Sequence, residues 1–309
     1  MSKIHKLMIS FREVFYNLQS FGYKVALGKF FSDLSKYGYK MKHKAILKYL
    51  EDNYQSLILD YNQRRSDEKP LQSDCPIWIC WFQGEKSMPP IVKGCYNSVK
   101  RHAGLHPVKL ITIDNYKEYV TIPQYIITKL DNKEISYTHF SDIIRNNLLA
   151  DYGGIWLDAT IYLTDKLKGW DKSFYSIKQN CPNDYKYVSG YKWTGFCMGG
   201  IKDNLLNSFV KDFFNVYHQK EDDLIDYFFI DYIIALGYNN IPSIKRLIDD
   251  VPLSNPSLYF LQQNLDKIYN QKEFDKIKQN THIFKVTWKL HSRKFSTDSY
   301  CQKIISNLI

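Results

Sequence analysis

Residues 139–160 bring an acid and a base together on one face of a predicted helix, just before a strand that ends in a second acid. Asp142 and Arg145 stand three positions apart, so an α-helix presents both on the same side. A glycine pair then ends the helix, and a short apolar strand leads to Asp158. Because α/β folds build ligand sites from polar groups that converge at strand ends, this spacing predicts a binding or catalytic site.

The helix in this segment is predicted to be amphipathic. Phe140, Ile143, Ile144 and Leu148 fall on the side of the helix opposite the acid–base pair. A solvated Asp–Arg pair, worth roughly a few tenths of a kcal/mol, is the plainer explanation of the pair taken alone. The glycine pair, the apolar strand and the terminal acid that follow favour the functional interpretation.

The predicted elements alternate between strands and helices through the first half of the chain. In chain order they are strand 76–82, helix 90–102, strand 108–113, helix 124–131, helix 138–151 and strand 154–158. Further predicted elements are short strands in 185–201, helices 203–218, 223–236, 243–249 and 257–266, and strand 282–288. Alternation of this kind predicts an α/β fold with a mostly parallel central sheet flanked by helices.

Composition is that of a soluble globular protein, with 44% hydrophobic and 24% charged residues. The six cysteines form no Cys-X-X-Cys pair, so we expect no structural zinc. No run of 18 apolar residues is present, so we expect no membrane-spanning helix, and a reduced cytosolic setting is the simplest inference.

Positive charge is concentrated at the N-terminal end. Residues 1–50 hold ten Lys and Arg against two acidic residues, within a net charge of +10 for the chain. We therefore predict a basic helical extension with a linker over 1–70 and a second domain over 71–309. A basic amphipathic helix suits an anionic membrane surface, although helices that are merely solvated remain an alternative. Nucleic acid is not expected, because the basic end carries no nucleic-acid module.

The residues around the acid–base pair resemble the signature of glycosyltransferase family 32 and its capsular polysaccharide synthesis branch. The matching motifs are Ser141-Asp142-Ile143-Ile144-Arg145 and Gly153-Gly154-Ile155-Trp156-Leu157-Asp158-Ala159-Thr160. The likeness is good over roughly residues 75–165 and more distant to the clostridial glucosylating toxins. It implies a GT-A fold, a nucleotide-sugar donor, a divalent metal and retention of anomeric configuration.

The resemblance also implies roles for individual residues. Trp81 occupies the strand end where similar enzymes stack an aromatic ring on the nucleotide base, whereas Trp78 is better assigned to the core. Asp142 and Arg145 match positions that grip the donor sugar, since a carboxylate accepts from hydroxyls and a guanidinium donates a fork. The predicted donor contacts are Trp81, Phe82, Gln83, Ser141, Asp142, Arg145, Asp158, Trp288 and Lys289.

Asp231 joins Asp158, Asp142 and Arg145 as a predicted catalytic residue. It lies in an apolar, aromatic-rich stretch, which is typical of a partly buried acid with a shifted pKa. It would face the reacting sugar carbon or the acceptor, and a structural or capping role is the alternative. The whole interpretation requires the strand-end Trp81 and the three signature residues to line one shared site.

The predicted metal site departs from the family pattern. Thr160 stands where the second acid of the Asp-X-Asp motif belongs, and a neutral hydroxyl is a poor ligand for a hard cation. Asp158 with the donor phosphates could hold Mn²⁺ or Mg²⁺, or His291 could complete the shell. Alternatively, Arg145 or Lys289 could neutralise the phosphates without a metal. Asp158 and His291 are the predicted ligands.

The expected function is sugar transfer from a nucleotide-diphosphate donor to a capsular or surface polysaccharide. A uridine diphosphate sugar is favoured as donor by resemblance, with guanosine diphosphate open. The expected acceptor is a glycan or lipid-linked glycan, and the expected location is the cytoplasm, peripheral on the inner face of the membrane. Two alternatives remain open: a toxin-like enzyme that glycosylates a host protein, and a non-enzymatic protein that binds membrane surfaces through its basic end.

Overall fold

The computed structural model describes residues 3–32, 35–65, 69–170, 172–181, 183–290 and 295–309, with residues 3–13 described by their backbone alone. Helices and strands are numbered below in chain order. Two short 3-10 helices, Glu85–Ser87 and Tyr116–Glu118, are left without labels.

Three helices form the N-terminal part of the molecule: α1 (Lys3–Ser32), α2 (Lys36–Asn53) and α3 (Gln55–Gln63). A kink divides α1 at Gly22, whose φ of 80° lies in the left-handed region that favours glycine. The chain then reverses so that α2 packs closely against α1. A Cβ at Gly38 would lie only 1.8 Å from the Phe31 carbonyl oxygen, so the two helices can approach this closely only at a glycine.

The central elements follow in the predicted order. They are β1 (Ile77–Cys80), α4 (Pro90–His102), β2 (Val108–Ile111), α5 (Gln124–Asp131), α6 (Tyr137–Asp151) and β3 (Gly154–Leu157). All six were predicted as to type, and the helix bounds agree within one residue. Proline starts and glycine or polar ends gave the helices clear limits in the sequence.

The second half of the chain adds ten elements. They are β4 (Ile161–Leu163), β5 (Phe174–Ser176), β6 (Cys197–Gly200), α7 (Leu205–Lys220), α8 (Phe229–Asn240), α9 (Pro242–Asp249), α10 (Phe260–Gln263), α11 (Gln271–Lys278), β7 (Ile283–Lys285) and α12 (Tyr300–Ile305). The sequence analysis missed β4, β5, α11 and α12. It also began α8 six residues too early, because 223–228 carries helix-like apolar residues but forms bends and a turn before the helix.

The main sheet has the strand order β2-β1-β3-β6-β5. Strand β1 is parallel to both β2 and β3, whereas β6 runs antiparallel to its neighbours β3 and β5. Strands β4 and β7 pair separately as an antiparallel two-stranded sheet. The predicted α/β class, with a mostly parallel central sheet flanked by helices, is confirmed. Its finer assignment to the GT-A fold rests on the family resemblance.

Two apolar cores lie on the two sides of the main sheet. One contains Trp78 and Trp156 together with side chains of α5 to α9, and the other contains Ile77 and Ile155 with side chains of α4, α12 and β7. Trp78 is buried and donates its indole N–H to the Gly153 carbonyl oxygen at 2.9 Å, so its predicted place in the core is confirmed.

The N-terminal helices share the first of these cores. Phe21 and Val25 from α1, and Ile46 and Leu50 from α2, are buried in the same cluster as the side chains of α7 and α8. An ion pair of 3.0 Å between Lys42 and Asp226 joins α2 to the turn before α8. The division at residue 70 stays a prediction, but the helices of the predicted extension are packed as part of one hydrophobic core.

Among the described helices, none combines the length and apolar character needed to cross a bilayer.

Candidate active site

Helix α6 carries the acid–base pair and is buried on both of its faces. Its apolar side packs into the core as predicted, but Asp142 and Arg145 are also only 8% and 4% exposed. The plainer alternative, a solvated Asp–Arg pair, therefore does not hold. Two asparagines in the middle of the helix, Asn146 and Asn147, donate their side-chain N–H groups to carbonyl oxygens one turn earlier. Asn146 Oδ1 is buried without a partner among the described residues.

The glycine pair after α6 sets the direction of β3. Gly153 and Gly154 have φ values of 70° and 104°, which only glycine adopts readily. A Cβ at Gly154 would lie 2.4 Å from the Pro76 carbonyl oxygen, so this turn also needs a residue without a side chain. Strand β3 then delivers Asp158 to the carboxyl edge of the parallel strands, where the Asp158 amide donates to the Phe196 carbonyl oxygen at 2.9 Å.

Arg145 joins the two acids of the predicted site. Its Nη2 atom lies 3.1 Å from Asp142 Oδ1 and 3.3 Å from Asp158 Oδ1. The guanidinium also lies over the Trp156 ring, 4.9 Å from its centroid. The structure therefore brings the three signature residues, Asp142, Arg145 and Asp158, together in one connected cluster. The Asp158 side chain is 30% exposed, so the cluster opens to solvent at this residue.

Lys285 is a member of the cluster that sequence reasoning missed. Its Nζ atom lies 2.8 Å from Asp158 Oδ2, and it also stands 4.7 Å from the centroid of the Phe196 ring. Lys285 ends β7, whose partner β4 begins just after Asp158, so sheet pairing brings together residues 127 positions apart. The sequence offered only a lysine in the middle of the predicted strand 282–288 as a signal.

Asp231 lies in the first turn of α8 and belongs to the same neighbourhood. The Trp193 indole N–H donates to Asp231 Oδ1 at 2.8 Å. The Asp231 charge interacts with Arg145, which lowers the pKa of the acid against the effect of burial. Trp193 was also missed, because nothing in the sequence pairs it with an acid 38 residues away.

The three acids have different protonation behaviour. Burial raises the pKa of Asp142 to about 7, and the nearby Asp158 and Asp231 charges add to that rise, although Arg145 opposes it. Burial likewise raises the pKa of Asp231 to about 6. Burial also acts on Asp158, but Lys285 and Arg145 outweigh it and hold the pKa of Asp158 below its usual value. Asp158 is thus the anion of the cluster, and Asp142 exchanges a proton near neutral pH.

A glycine provides room for the guanidinium. A Cβ at Gly195 would lie 3.0 Å from Arg145 Nη1, so a larger residue there would press on the arginine. Arg145 Nε is buried and has no hydrogen-bond partner among the described residues. A buried charged donor without an acceptor is unfavourable, so this nitrogen lowers the stability of the folded cluster.

Trp81 and Trp288 form an aromatic pair beyond the end of β1. Their rings meet edge to face with centroids 6.0 Å apart, and Trp288 is 46% exposed. Trp81 Nε1 is buried and lacks a partner among the described residues. Strand β1 is parallel to β3, so Trp81 lies along the same sheet edge as Asp158. No contact between Trp81 and the signature cluster is described, and its role in the site stays a prediction.

The remaining predicted donor contacts lie in varied surroundings. Phe82 is 7% exposed and packs against Tyr137 and Phe140, so its ring belongs to the core and does not face the cluster. Ser141 is half-buried and donates to the Thr138 carbonyl oxygen of its own helix at 2.7 Å. Gln83 and Lys289 are exposed.

The described residues do not by themselves form a metal site. No three His, Cys, Asp or Glu side chains among them are grouped closely enough to hold an ion. Each oxygen of Asp158 already faces a cation, Arg145 on one side and Lys285 on the other. Thr160 is buried and supplies no carboxylate. The second predicted ligand, His291, lies outside the described residues.

Two curated relatives are similar to part of the chain. The O-glycosyltransferase braB of Annulohypoxylon truncatum is 29% identical over 122 residues, and the O-glycosyltransferase PaGT of Phomopsis amygdali is 29% identical over 113 residues. These stretches cover 34% and 33% of this chain, and 29% and 28% of the relatives. The chain thus matches less than a third of the length of either one.

Two solved structures match the chain weakly. The PaToxG glycosyltransferase matches with a TM-score of 0.42 at 15% identity, over 81% of this chain and 99% of that one. A bacterial N-acetylglucosamine transferase, NleB, matches with a TM-score of 0.32 at 14% identity, over 72% and 98% of the two chains. Likeness at this level assigns neither fold nor function.

The family profile covers much more of the molecule. Residues 28–304 match the profile described as capsular polysaccharide synthesis protein, a range that includes both motifs of the signature and also Asp231 and Lys285. The resemblance seen in the two motifs is confirmed over most of the sequence: the chain belongs to the capsular polysaccharide synthesis protein family.

Proposed function

We propose that the protein is a glycosyltransferase that moves a sugar from a nucleotide-diphosphate donor to a growing capsular or surface polysaccharide. The observation that carries the proposal is the cluster of Asp142, Arg145, Asp158 and Lys285 at the carboxyl edge of the sheet. Carboxylates that accept from hydroxyls stand beside cations that attract phosphate, which is the mixture an activated sugar requires. Membership of the family and similarity to two O-glycosyltransferases support the same reaction class.

In this proposal the residues of the cluster have different roles in binding the donor. Asp142 accepts from the sugar hydroxyls, and the buried Arg145 holds Asp142 and Asp158 in place and adds positive charge beside the diphosphate. Lys285 neutralises negative charge on the leaving diphosphate. Trp81 stacks on the base, which contributes about 1–3 kcal/mol when a ring meets a nucleobase. A uridine diphosphate sugar is the favoured donor, and a guanosine diphosphate sugar is the second candidate.

The proposed mechanism relies on charge and position. As the bond between the anomeric carbon and the diphosphate breaks, negative charge grows on the leaving group, and the cations placed beside it stabilise that charge. The acceptor hydroxyl attacks from the same face and passes its proton to the departing phosphate, so configuration is retained. No strong enzymic base is needed, since fixed geometry supplies much of the rate gain.

A requirement for Mn²⁺ or Mg²⁺ stays a prediction, and no step above depends on it. Its test is transfer measured in chelator, with each metal restored in turn. Contact with the inner face of the cell membrane is likewise proposed from the basic N-terminal helices and a lipid-linked acceptor. Sedimentation with anionic and with neutral vesicles measures that contact.

The central experiment compares Asp158→Asn with Asp275→Asn, which makes the same chemical change on the exposed face of α11. Nucleotides and nucleotide sugars are first screened by thermal shift, where a ligand at 100 times its dissociation constant adds about 2.7 kcal/mol of stability. Transfer from the stabilising donor is then measured. We expect Asp158→Asn to lose about 100-fold or more in rate and Asp275→Asn to lose nothing.

The acceptor arm of this experiment separates the alternatives. Lipid-linked glycan extract and host-cell lysate are offered with the same labelled donor, and we expect label in the glycan. Label in a host protein would favour the effector-like alternative. Full activity in folded Asp158→Asn, or the absence of turnover with every nucleotide sugar, would overturn the proposal.

A further inference from the structure

A long groove lies between the N-terminal helices and segment 184–190. Its volume is about 1120 Å³, above the roughly 300–1,000 Å³ of an ordinary small-molecule site. Apolar side chains form most of it, including Leu27 from α1, Ala45 and Leu47 from α2, and Val188 from the facing segment. A groove of this size and character suits a long apolar chain.

Lysines line one side of the groove. Lys40, Lys44 and Lys48 follow one another at four-residue spacing along α2, and Lys24 lies across from them on α1. Like charges four apart on a helix repel weakly, and Lys40 also lies over the Tyr185 ring, 3.7 Å from its centroid. Among the described residues, none forms an ion pair or hydrogen bond with Lys44. The row therefore has a charge suited to a phosphate group.

Few acidic groups oppose these four lysines. Glu51 and Asp184 also line the groove. The Asp184 carboxylate already accepts from the Tyr191 hydroxyl and the Lys186 amide. Lys48 has a partner outside the lining, Asp52, at 2.5 Å. The balance of charge along the groove remains positive.

The entrance to the groove is apolar as well as basic. Tyr23 is 61% exposed, Leu27 is 46% exposed and Met41 is 52% exposed, all on helices that border the groove. Adjacent exposed apolar residues in a folded protein mark a surface that another molecule covers. An apolar entrance with lysines beside it fits a ligand that is apolar at one end and anionic at the other.

One chain segment contributes residues both to the groove and to the neighbourhood of the candidate active site. Segment 184–193 borders the groove through Tyr185, and its Trp193 bonds to Asp231 in the cluster neighbourhood. His43 Nε2 lies 3.0 Å from the Tyr185 carbonyl oxygen and its Nδ1 lies 2.7 Å from the Tyr232 hydroxyl. Segment 184–193 thus connects the lining of the groove to a residue that contacts Asp231.

We infer that this groove binds the lipid end of the acceptor, an amphiphile with an apolar chain and a phosphate or diphosphate head. The inference rests on the proposed function, since it gives the groove the acceptor of that reaction. The apolar chain lies along α1 and α2, and the head group contacts the lysine row. The glycan attached to that head then reaches the donor site past segment 184–193.

Binding of a soluble probe tests the groove without any need for turnover. Farnesyl diphosphate carries both parts of the proposed ligand, whereas inorganic diphosphate and farnesol carry one part each. Titration calorimetry on the full-length protein, below the micelle concentration of the probe, compares the three. We expect farnesyl diphosphate to bind at least about tenfold more tightly than either of the others.

A matched pair of charge reversals tests the lysine row. Lys40→Glu/Lys44→Glu changes two exposed lysines one turn apart on α2, and Lys272→Glu/Lys276→Glu makes the same change on α11. We expect the α2 variant to lose about tenfold or more in affinity for farnesyl diphosphate, because each of the two lysines near an anion contributes roughly fivefold. The α11 variant should bind as the wild type does.

A second pair tests the apolar part of the site. Leu27→Gln removes an exposed apolar side chain at the groove, and Leu59→Gln does the same on α3 away from it. Both positions are about half exposed, so both variants should fold, as their melting temperatures will show. We expect a loss of affinity for Leu27→Gln alone.

Four results would overturn the inference. They are equal binding of farnesyl diphosphate and inorganic diphosphate, full binding by the α2 charge-reversal variant, dimerisation through the groove, and binding to anionic vesicles without binding to the monomeric probe. The last would assign the surface to the bilayer, and dimerisation through the groove would assign it to a second copy. Hydrolysis of the nucleotide sugar in the absence of acceptor reports on the donor site alone, so it shows separately whether the proposed function has failed.

Discussion

The raised pKa of Asp142 makes the stability of the folded protein depend on pH. Its pKa is raised by burial from 3.8 to about 7 in the folded protein. The native state therefore holds a proton that the unfolded state releases between those two pH values. This contribution to stability is present at low pH and is lost as pH rises through about 7.

The corresponding prediction concerns Asp142→Asn, which cannot titrate. We expect the stability of the wild type relative to this variant to fall between pH 5 and pH 8, by on the order of 1–3 kcal/mol. Urea unfolding at several pH values gives this difference. Asp275→Asn is the control, since Asp275 is exposed and its pKa is lowered by Gln271 and Lys278. A difference that stays constant, or grows with pH, would contradict the assigned burial.

Lys285 provides a second prediction at the scale of single residues. Lys285→Met leaves Asp158 with Arg145 and Trp156 as its partners and removes one cation from the proposed phosphate site. We expect turnover of the donor to fall by about 10- to 100-fold, because the developing charge is less stabilised. Lys285→Arg should restore part of the rate, and Lys278→Met on α11 should leave it unchanged. A folded Lys285→Met variant with full turnover would remove Lys285 from the mechanism.

These residues show which parts of the candidate site could be predicted from the sequence and which could not. Asp142, Arg145 and Asp158 were predicted to meet because helix spacing and a short strand connect them within one segment. Lys285 and Trp193 reach the site through long-range pairing of strands and helices, which leaves no local pattern. Phe82 was misjudged because its neighbour Trp81 lies at a strand end, where successive side chains point to opposite faces.

At the scale of elements, the turn between α6 and β3 determines where Asp158 lies. Gly154 has a φ of 104°, and a Cβ there would meet the Pro76 carbonyl oxygen at 2.4 Å. Gly104 also has a positive φ, 64°, but only the end of the Lys166 side chain lies within 4 Å of its Cβ position. Both glycines have a positive φ, but only Gly154 has backbone too close for a Cβ. Comparing alanine at the two positions therefore separates the cost of backbone strain from the cost of a steric clash.

We therefore expect Gly154→Ala to destabilise the protein by about 3 kcal/mol or more, and Gly104→Ala by about 1 kcal/mol. Urea denaturation of both variants measures the difference. The Gly154 variant should also lose donor turnover, since β3 cannot hold its register beside β1. Equal losses of stability in the two variants would show that the close approach at Pro76 relaxes easily.

Elements with clear boundaries in the sequence were predicted well, and those without were not. Helices α4, α5 and α6 begin or end at proline, serine or glycine, so their limits could be read directly. Strands β4 and β5 have three residues each and lack any alternation long enough to recognise. Their pairing partners decide that they are strands, and those partners lie far away in the sequence.

At the scale of the whole molecule, the N-terminal helices are part of the folded unit. Leu50 on α2 is fully buried in the cluster that also holds residues of α7 and α8. Removing residues 1–50 would therefore remove core side chains together with the basic surface, and would not test membrane contact cleanly. Charge reversals on exposed lysines change that surface while leaving the core in place.

The shared core leads to a prediction about cooperativity. Leu50→Ala opens a cavity between the N-terminal helices and the rest of the protein, so we expect a loss of about 2–5 kcal/mol in the free energy of unfolding. Leu59→Ala on α3, where the side chain is 53% exposed, should change stability by less than about 1 kcal/mol. Because one cluster spans both parts, tryptophan fluorescence and far-UV circular dichroism should report the same transition in the Leu50 variant. Two separate transitions would mean that α1 and α2 unfold independently of the sheet, and that the groove they border can open while the donor site stays folded.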